Sequence, residues 1–160
     1  MTGQIHDQVN WRDQTYALLS SNGAGLFEPA TFGLFPTMLH TACWRGFTCA
    51  YAIEASALLL TALTIRTLDG KYPPLNGVSP AEDSYGTMRY TGLRLTLEFD
   101  GKLLLGAGFR PEQYVHMGFQ RPAAYQEVQE VTFLDGKLVS VRDRSKDFAQ
   151  NPPVKPPSRL

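Results

Sequence analysis

The chain has 160 residues, with fifteen basic and fifteen acidic side chains and a formal net charge of zero. This length suits one domain around a single core, and the balanced charge gives no general electrostatic reason to expect nucleic acid or an anionic membrane as a partner. The first residues lack the basic and apolar regions of a signal peptide, and no run of about eighteen apolar residues follows. We therefore expect a cytoplasmic protein without a membrane span.

The chain begins with polar residues, and we expect residues 1–10 to be loose. A first strand is predicted around Thr15–Leu19, because the segment 20–25 is rich in serine and glycine and breaks the pattern. Residues 26–39 combine phenylalanines with prolines and glycine and show no sustained period. They predict a loop, with room for one short helix, that covers one end of the core.

The run from Ala42 to Ile53 is rich in aromatic and small residues, contains no proline and has few charges. It predicts a long strand, bent at Gly46, whose alternate side chains lie on opposite faces. Because neither face is strongly polar, we expect a central strand that is covered on both sides. Its larger face is predicted to hold Cys43, Arg45, Phe47, Cys49, Tyr51 and Ile53.

A hairpin and a long connection follow. Residues 54–56 are predicted to turn into a second apolar strand within 57–68. Residues 69–85 hold three prolines and two glycines, so they predict an irregular connection. Long loops of this kind often carry function, although they are also where insertions are tolerated.

The clearest alternation of leucines with polar residues lies in 90–99. Asp100-Gly101 is a typical hairpin signal, since a type I′ turn needs two residues that tolerate positive φ. The alternation resumes over 102–109. We therefore predict that these two runs pair across a turn at Asp100-Gly101.

The remaining strands are predicted after residue 110. Prolines bound a short strand at 114–118, and Asp135-Gly136 is a second hairpin signal between the runs 124–134 and 137–142. Residues 146–160 are rich in proline and predict a flexible tail.

About eight strands with short turns, and no segment of convincing helical period, predict an all-β fold with little helix. We expect an antiparallel β-barrel, either lipocalin-like or a closed sandwich, because closure removes exposed strand edges. Residues 1–145 are predicted to form this single domain.

Two segments resemble a family of uncharacterised bacterial proteins. They are Thr41-Ala-Cys-Trp-Arg-Gly-Phe47, followed by an aromatic strand with a leucine-rich partner, and Tyr114-Val-His-Met-Gly-Phe119, followed by Tyr125 and acidic residues. With a first strand that contains a tyrosine, the similarity spans most of residues 10–142. The resemblance implies a bacterial protein with the fold of that family, and it implies no activity.

Arg45 is the residue around which we predict a binding site. At the exposed end of its strand, its planar guanidinium would lie at the mouth of the barrel and bind a carboxylate or a phosphate. The alternative is a structural ion pair with Glu98 or Glu127, because an unpaired buried guanidinium is very costly.

Four more residues complete the predicted site. Trp44 and Tyr51 would supply an apolar or stacking wall beside the guanidinium. Tyr114 and His116 fall on one face of the predicted strand at 114–118 and would line the same mouth. A lone histidine in a strand is more often a structural residue than a ligand or a base, so a purely structural role stays open for His116.

Metal and nucleophilic sites find little support in the sequence. His40, Cys43 and His116 carry atoms that suit zinc, but the spacings typical of zinc sites are missing. A Cys–His nucleophilic pair would need a base held against a thiolate, and nothing local indicates one. Phosphate-binding loops, dinucleotide fingerprints and hydrolase elbows are also missing. We therefore predict no metal, no cofactor and no catalytic residue.

These observations predict a binding module that is not an enzyme and that holds a small anionic or amphipathic ligand at one end of the barrel. The first alternative is a small hydrolase or isomerase-like enzyme with His116 as acid/base. The second is a binder of one protein partner, such as a toxin immunity protein. We expect a monomer or a homodimer.

Overall fold

The computed structural model describes residues 3–83, 86–115 and 118–149, which form ten strands and one short helix. The all-β prediction is confirmed. Within these ranges, no helix is long and apolar enough to cross a membrane. The strands are β1 (Gln8–Trp11), β2 (Gln14–Ala24), β3 (Phe47–Glu54), β4 (Ala57–Ile65), β5 (Ala81–Glu82), β6 (Met88–Tyr90), β7 (Leu95–Leu97), β8 (Asp100–Phe109), β9 (Tyr125–Leu134) and β10 (Lys137–Asp143), and the helix is α1 (Ser145–Ala149). Short 3-10 turns occur at Pro29–Phe32, Pro111–Gln113 and Pro122–Ala124.

All ten strands belong to one sheet, and seven of them follow one another around a ring in the order β10-β9-β8-β2-β1-β3-β4. The ring is closed where Ala57 of β4 pairs with Lys137 of β10. The amide of Leu138 also donates to the carbonyl of Ser56 at 2.8 Å. Strands β6 and β7 pair with β4, and β5 pairs with β6.

One pair of strands departs from the predicted antiparallel arrangement. Strands β1 and β3 run parallel, with Val9 opposite Tyr51, whereas the other pairs are antiparallel. Strand β2 runs back alongside β1, and the segment 25–46 then leads to β3, which begins at the same end of the sheet as β1, as parallel neighbours require.

The interior of the ring is filled with side chains. Its largest fully buried members include Tyr16, Tyr51, Tyr90, Phe99 and Phe133. The rings of Phe99 and Phe133 meet edge to face with their centroids 5.9 Å apart, and the hydroxyl of Tyr90 donates to a backbone carbonyl at 2.6 Å. A ligand site is therefore expected on the outer surface of the ring.

The strand predicted at 42–53 is correct only in its second part. Strand β3 begins at Phe47, and from there the side chains of Cys49, Tyr51 and Ile53 point into the core as expected. The long connection at 69–85 was expected to be irregular, and it contains only the two-residue strand β5 within its described part.

Residues 40–46 form turns instead of a strand. Gly46 has φ +89°, and a Cβ atom there would lie only 2.2 Å from the carbonyl oxygen of Thr37. A glycine with positive φ and a close backbone neighbour ends the extended chain. The predicted grouping of Arg45 with the large face of the strand is therefore wrong, and Trp44 lies in the same turns.

The turn predicted at Asp100-Gly101 is also wrong, because β8 runs straight through it. Gly101 lies opposite Gly23 of β2, and a Cβ atom on Gly101 would approach a β2 carbonyl oxygen to 2.2 Å. Glycine serves here to let two backbones approach closely. In the run 90–99, the part after Gly92 contains one strand, Leu95–Leu97. This strand pairs with β4 instead of β8.

Three tight turns that join consecutive strands contain two consecutive residues with positive φ, as in a type I′ turn, and Asn76-Gly77 in the connection 69–85 forms a fourth such pair. Two of them, at Ala55-Ser56 and Asp135-Gly136, confirm sequence predictions. The third joins β1 to β2 at Arg12-Asp13, where the sequence analysis placed no hairpin.

Among the described residues, regular structure extends further toward each end of the chain than expected. The first residues were predicted to be loose, but β1 begins at Gln8 and β2 continues to Ala24, through the serine-rich segment. At the other end, α1 occupies the start of the predicted tail, and Arg144 donates to Glu130 at 2.8 Å beside it. Residues 150–160 lie outside the described ranges.

Candidate functional site

Residues 3–7 form an N-terminal segment that continues β1 and is held from several sides. The amides and carbonyls of this segment bond to three other parts of the chain: Gln4 N–H to the carbonyl of Gly118 at 2.6 Å, Ile5 N–H to that of Ala42 at 2.8 Å, and Leu18 N–H to that of Asp7 at 2.8 Å. This segment therefore joins the turns at 40–46 to the loop at 118–120.

The outer surface beside the N-terminal segment holds an open cavity of about 460 Å³, which we call the aromatic cleft. Its described lining contains no lysine, arginine, aspartate or glutamate. Small residues of β2 and β8 form its floor, namely Ala17, Gly106 and Gly108, and its walls include His6, Phe109, Tyr114, Tyr125, Gln4 and Gln120.

Gly106 lets the side chains of Leu19 and Tyr125 lie directly against the floor of the aromatic cleft. A Cβ atom at this position would lie 2.8 Å from both Cδ1 of Leu19 and Cγ of Tyr125. Such distances are shorter than van der Waals contact, so any side chain at Gly106 would displace the Tyr125 ring.

Tyr114 is the predicted site residue that lies in the aromatic cleft. Its side chain is 43% exposed, and its hydroxyl oxygen accepts a hydrogen bond from Gly3 N–H at 3.0 Å. Gln120 fixes the neighbouring backbone, since its side chain accepts from Val115 N–H at 2.8 Å and donates to the Val115 carbonyl at 2.9 Å. Residues 114 and 115 are not in a strand, contrary to the prediction.

His6 lies at the edge of the aromatic cleft, and the sequence analysis missed it. Its Nδ1 atom is 2.9 Å from the Leu18 carbonyl oxygen, so Nδ1 carries the hydrogen and Nε2 of the neutral ring carries none. Nε2 is buried without a hydrogen-bond partner among the described residues, although the Gln120 backbone lies near the ring. Burial lowers the pKa of His6 below its usual value.

Tyr16 closes the cleft wall from the core side. Its hydroxyl donates to the carboxylate of Glu127. Burial, together with this hydrogen bond to Glu127, raises the pKa of Tyr16 to about 12. Tyr16 is therefore a neutral donor at pH 7, and its carboxylate partner is occupied.

Arg45 forms an ion pair, but with neither of the two predicted partners. Its guanidinium donates to the carboxylate of Asp7, its Nε–H donates to the Phe47 carbonyl at 2.8 Å, and it lies 4.2 Å from the centroid of the Phe47 ring. The Asp7 carboxylate also accepts from Cys49 N–H at 2.7 Å. Burial raises the pKa of Asp7, against the opposing effects of Arg45 and of the amide.

The other predicted wall residues do not meet at one mouth. Tyr51 is 1% exposed and belongs to the core, so it cannot contact a ligand at the surface. Trp44 is 47% exposed in the turns before β3, where its amide donates to the side chain of Gln4 at 2.9 Å. His116 lies outside the described residues.

The two cysteines are free thiols buried near the Arg45 ion pair. Burial raises the pKa of both Cys43 and Cys49, which opposes formation of a reactive thiolate. In the described part of the chain, no group of three or more histidine, cysteine or carboxylate side chains is arranged to hold a metal ion.

The sequence carried one signal that points to the N-terminal segment. Asp7, Val9 and Trp11 alternate with polar residues and all three are buried, but an aspartate on the apolar face of a strand reads as a break in the pattern. The guanidinium of Arg45 and the amide of Cys49, both distant in sequence, explain its burial. Comparison of the chain with protein-family models, with curated proteins and with solved structures finds no match.

Proposed function

We propose that the protein is a binding module that holds a small amphipathic ligand in the aromatic cleft. The observation that carries the proposal is a cavity of about 460 Å³ whose lining, among the described residues, has no lysine, arginine, aspartate or glutamate and combines aromatic rings with small residues of β2 and β8. Ligand sites are typically concave, lined by aromatic and apolar groups, and roughly 300–1,000 Å³ in volume. Phe109 and Tyr114, which are 38% and 43% exposed, offer ring faces to a ligand.

The polar groups of the cleft favour a ligand that binds mainly through apolar contact. The side-chain amide of Gln4 donates to the Thr41 carbonyl at 2.9 Å, and its oxygen accepts from Trp44 N–H. Gln120 uses both ends of its amide on Val115. Because these groups already have partners, stacking on the rings is expected to supply most of the affinity.

In this proposal the seven-stranded ring is a closed barrel that serves as a rigid support. The pairing of β4 with β10 and the filled interior support this interpretation. A ligand would then bind outside the barrel wall, and not in a central cavity as in lipocalins.

A protein partner is the second candidate. Ile5 and Phe119 are 46% and 51% exposed beside the cleft, and exposed apolar groups that lie together are typical of interaction surfaces. The enzyme alternative depends on His116, which lies outside the described residues.

Titration with N-phenyl-1-naphthylamine, a neutral aromatic fluorophore, tests the ligand proposal. We expect saturable binding, and Tyr114→Ala should weaken it about tenfold, because a lost ring contact of this kind costs roughly 0.5–1.5 kcal/mol beyond the lost area. Phe35→Ala is the matched control, since this ring is 50% exposed and does not line the cleft. Absence of saturable binding, or equal effects of the two substitutions, would contradict the proposal and favour a partner surface.

A further inference from the structure

A second, smaller cavity of about 160 Å³ lies on the outer face of β3, β4 and β6. Thr48, Thr64 and Arg89 form its polar wall, and we call this group the arginine niche. Thr64 lies directly opposite Thr48 on one side and Arg89 on the other. Cβ atoms of directly opposite residues are about 4.5–5.5 Å apart, so two hydroxyls and a guanidinium stand side by side.

The donors of the arginine niche are not used within the described chain. Arg89 takes part in none of the ion pairs formed by described residues, in contrast to Arg45. The outer face below the niche is lined by Ala50 and Ala62, which leave the niche open. A free guanidinium fork beside two hydroxyl groups is suited to an oxyanion, that is, a carboxylate or a phosphate.

The arginine niche and the aromatic cleft are neighbours on the same outer face. Ile5, His6 and Gln8 line both cavities, and Gln8 of β1 lies opposite Ala17 on the cleft side and opposite Ala50 on the niche side. With strands about 4.8 Å apart, three strand spacings from β2 to β4 correspond to roughly 14 Å. One extended molecule of moderate length therefore reaches from the cleft to the niche.

We propose that the arginine niche binds the acidic head group of an amphipathic ligand whose apolar part lies in the aromatic cleft. This inference rests on the proposed function and specifies its ligand as an elongated acid. Arg89 supplies the charge, and Thr48 and Thr64 supply neutral donors. Arg45 has no part in it, because its guanidinium is bound to Asp7.

The test compares 11-(dansylamino)undecanoic acid with its methyl ester, which has the same length and no charge. The full chain should bind the acid about tenfold more tightly than the ester, as expected for one charge-assisted contact. Arg89→Ala should remove this preference, and Thr64→Val should reduce it. Arg142→Ala removes an exposed arginine of β10 as a matched control and should keep the preference. Displacement by dodecanoic acid and by dodecyl phosphate then identifies the preferred head group.

The outcomes separate this inference from the proposed function. If Tyr114→Ala weakens both probes but Arg89→Ala leaves the acid-to-ester ratio unchanged, the niche is not the head-group site and the proposed function stands. If neither probe binds the unaltered protein, or if Tyr114→Ala affects neither of them, both proposals are overturned.

Discussion

Two regions beside the N-terminal segment differ in how many side chains the fold leaves unused. In the first region, the Asp7 carboxylate is buried and accepts hydrogen bonds from the Arg45 guanidinium and from Cys49 N–H. In the other region, exposed rings line the aromatic cleft on the β2 side of β1, and on the β3 side Arg89 takes part in none of the ion pairs formed by described residues. Arg45, around which the sequence predicted a binding site, thus has a structural role. A binding site is recognised by donors, acceptors and rings that the fold leaves unused.

The largest expected effect concerns the satisfied region. Arg45→Ala should lower the free energy of unfolding by about 2–3 kcal/mol, because it leaves the buried Asp7 carboxylate without its cation. Urea denaturation measures this loss. Arg94→Ala is the matched control, since both side chains of the Arg94–Glu54 ion pair are exposed. This pair should contribute less than about 1 kcal/mol. Equal losses in the two variants would mean that the buried Arg45–Asp7 pair contributes no more to stability than the exposed Arg94–Glu54 pair.

A smaller effect is expected in the floor of the aromatic cleft. Gly106→Ala should destabilise the protein by about 1–3 kcal/mol, because the new methyl group meets Leu19 and Tyr125 at 2.8 Å. Tyr125→Ala should remove most of this penalty in the double variant, which thermal or urea unfolding can measure as a coupling energy. Additive losses would mean that Tyr125 does not pack over Gly106.

The smallest expected effect is on the pH dependence of the unfolding free energy, and it concerns His6. His6 has a lowered pKa when folded, so the unfolded chain binds the proton more readily as pH falls below about 6.5. The stability that neutral His6 confers is full above that pH and is lost as pH falls toward the folded pKa. His6→Gln should therefore flatten the decline in unfolding free energy between about pH 6.5 and 5.

His40→Gln is the matched control for this titration, because His40 is exposed in the turns before β3. The unfolding free energy of this variant should decline with falling pH as it does in the unaltered protein. A decline that persists unchanged in the His6 variant would contradict this prediction.

The sequence predicted the fold class because alternation and turn chemistry are local signals. The strand at 125–134, the turn at Asp135-Gly136 and the core face of β3 follow from neighbouring residues alone. The errors at Gly46 and Asp100-Gly101 have one physical cause. A glycine can serve a turn or a close approach of two backbones, and the second use depends on a strand that is distant in sequence.

The candidate site was less predictable for a related reason. Tyr114 was identified, but His6 and Gly106 acquire their roles only through partners more than ten residues away, such as Leu18 and Tyr125. Arg45 was predicted to bind a ligand, and the structure shows instead the alternative of a structural ion pair, with Asp7 in place of Glu98 or Glu127. Its partner Asp7 was not seen, because a polar first segment does not reveal that one of its acids faces the core.

The closure of the ring has a mechanical consequence. Strand β10 touches β4 through a single residue pair, and nearly every side chain of β10 is exposed. Separation at this seam would break few hydrogen bonds and uncover little apolar surface, whereas separation of β8 from β9 would break a ladder from Gly101 to Phe109. Local opening should therefore begin at the seam and leave the face that carries the aromatic cleft intact.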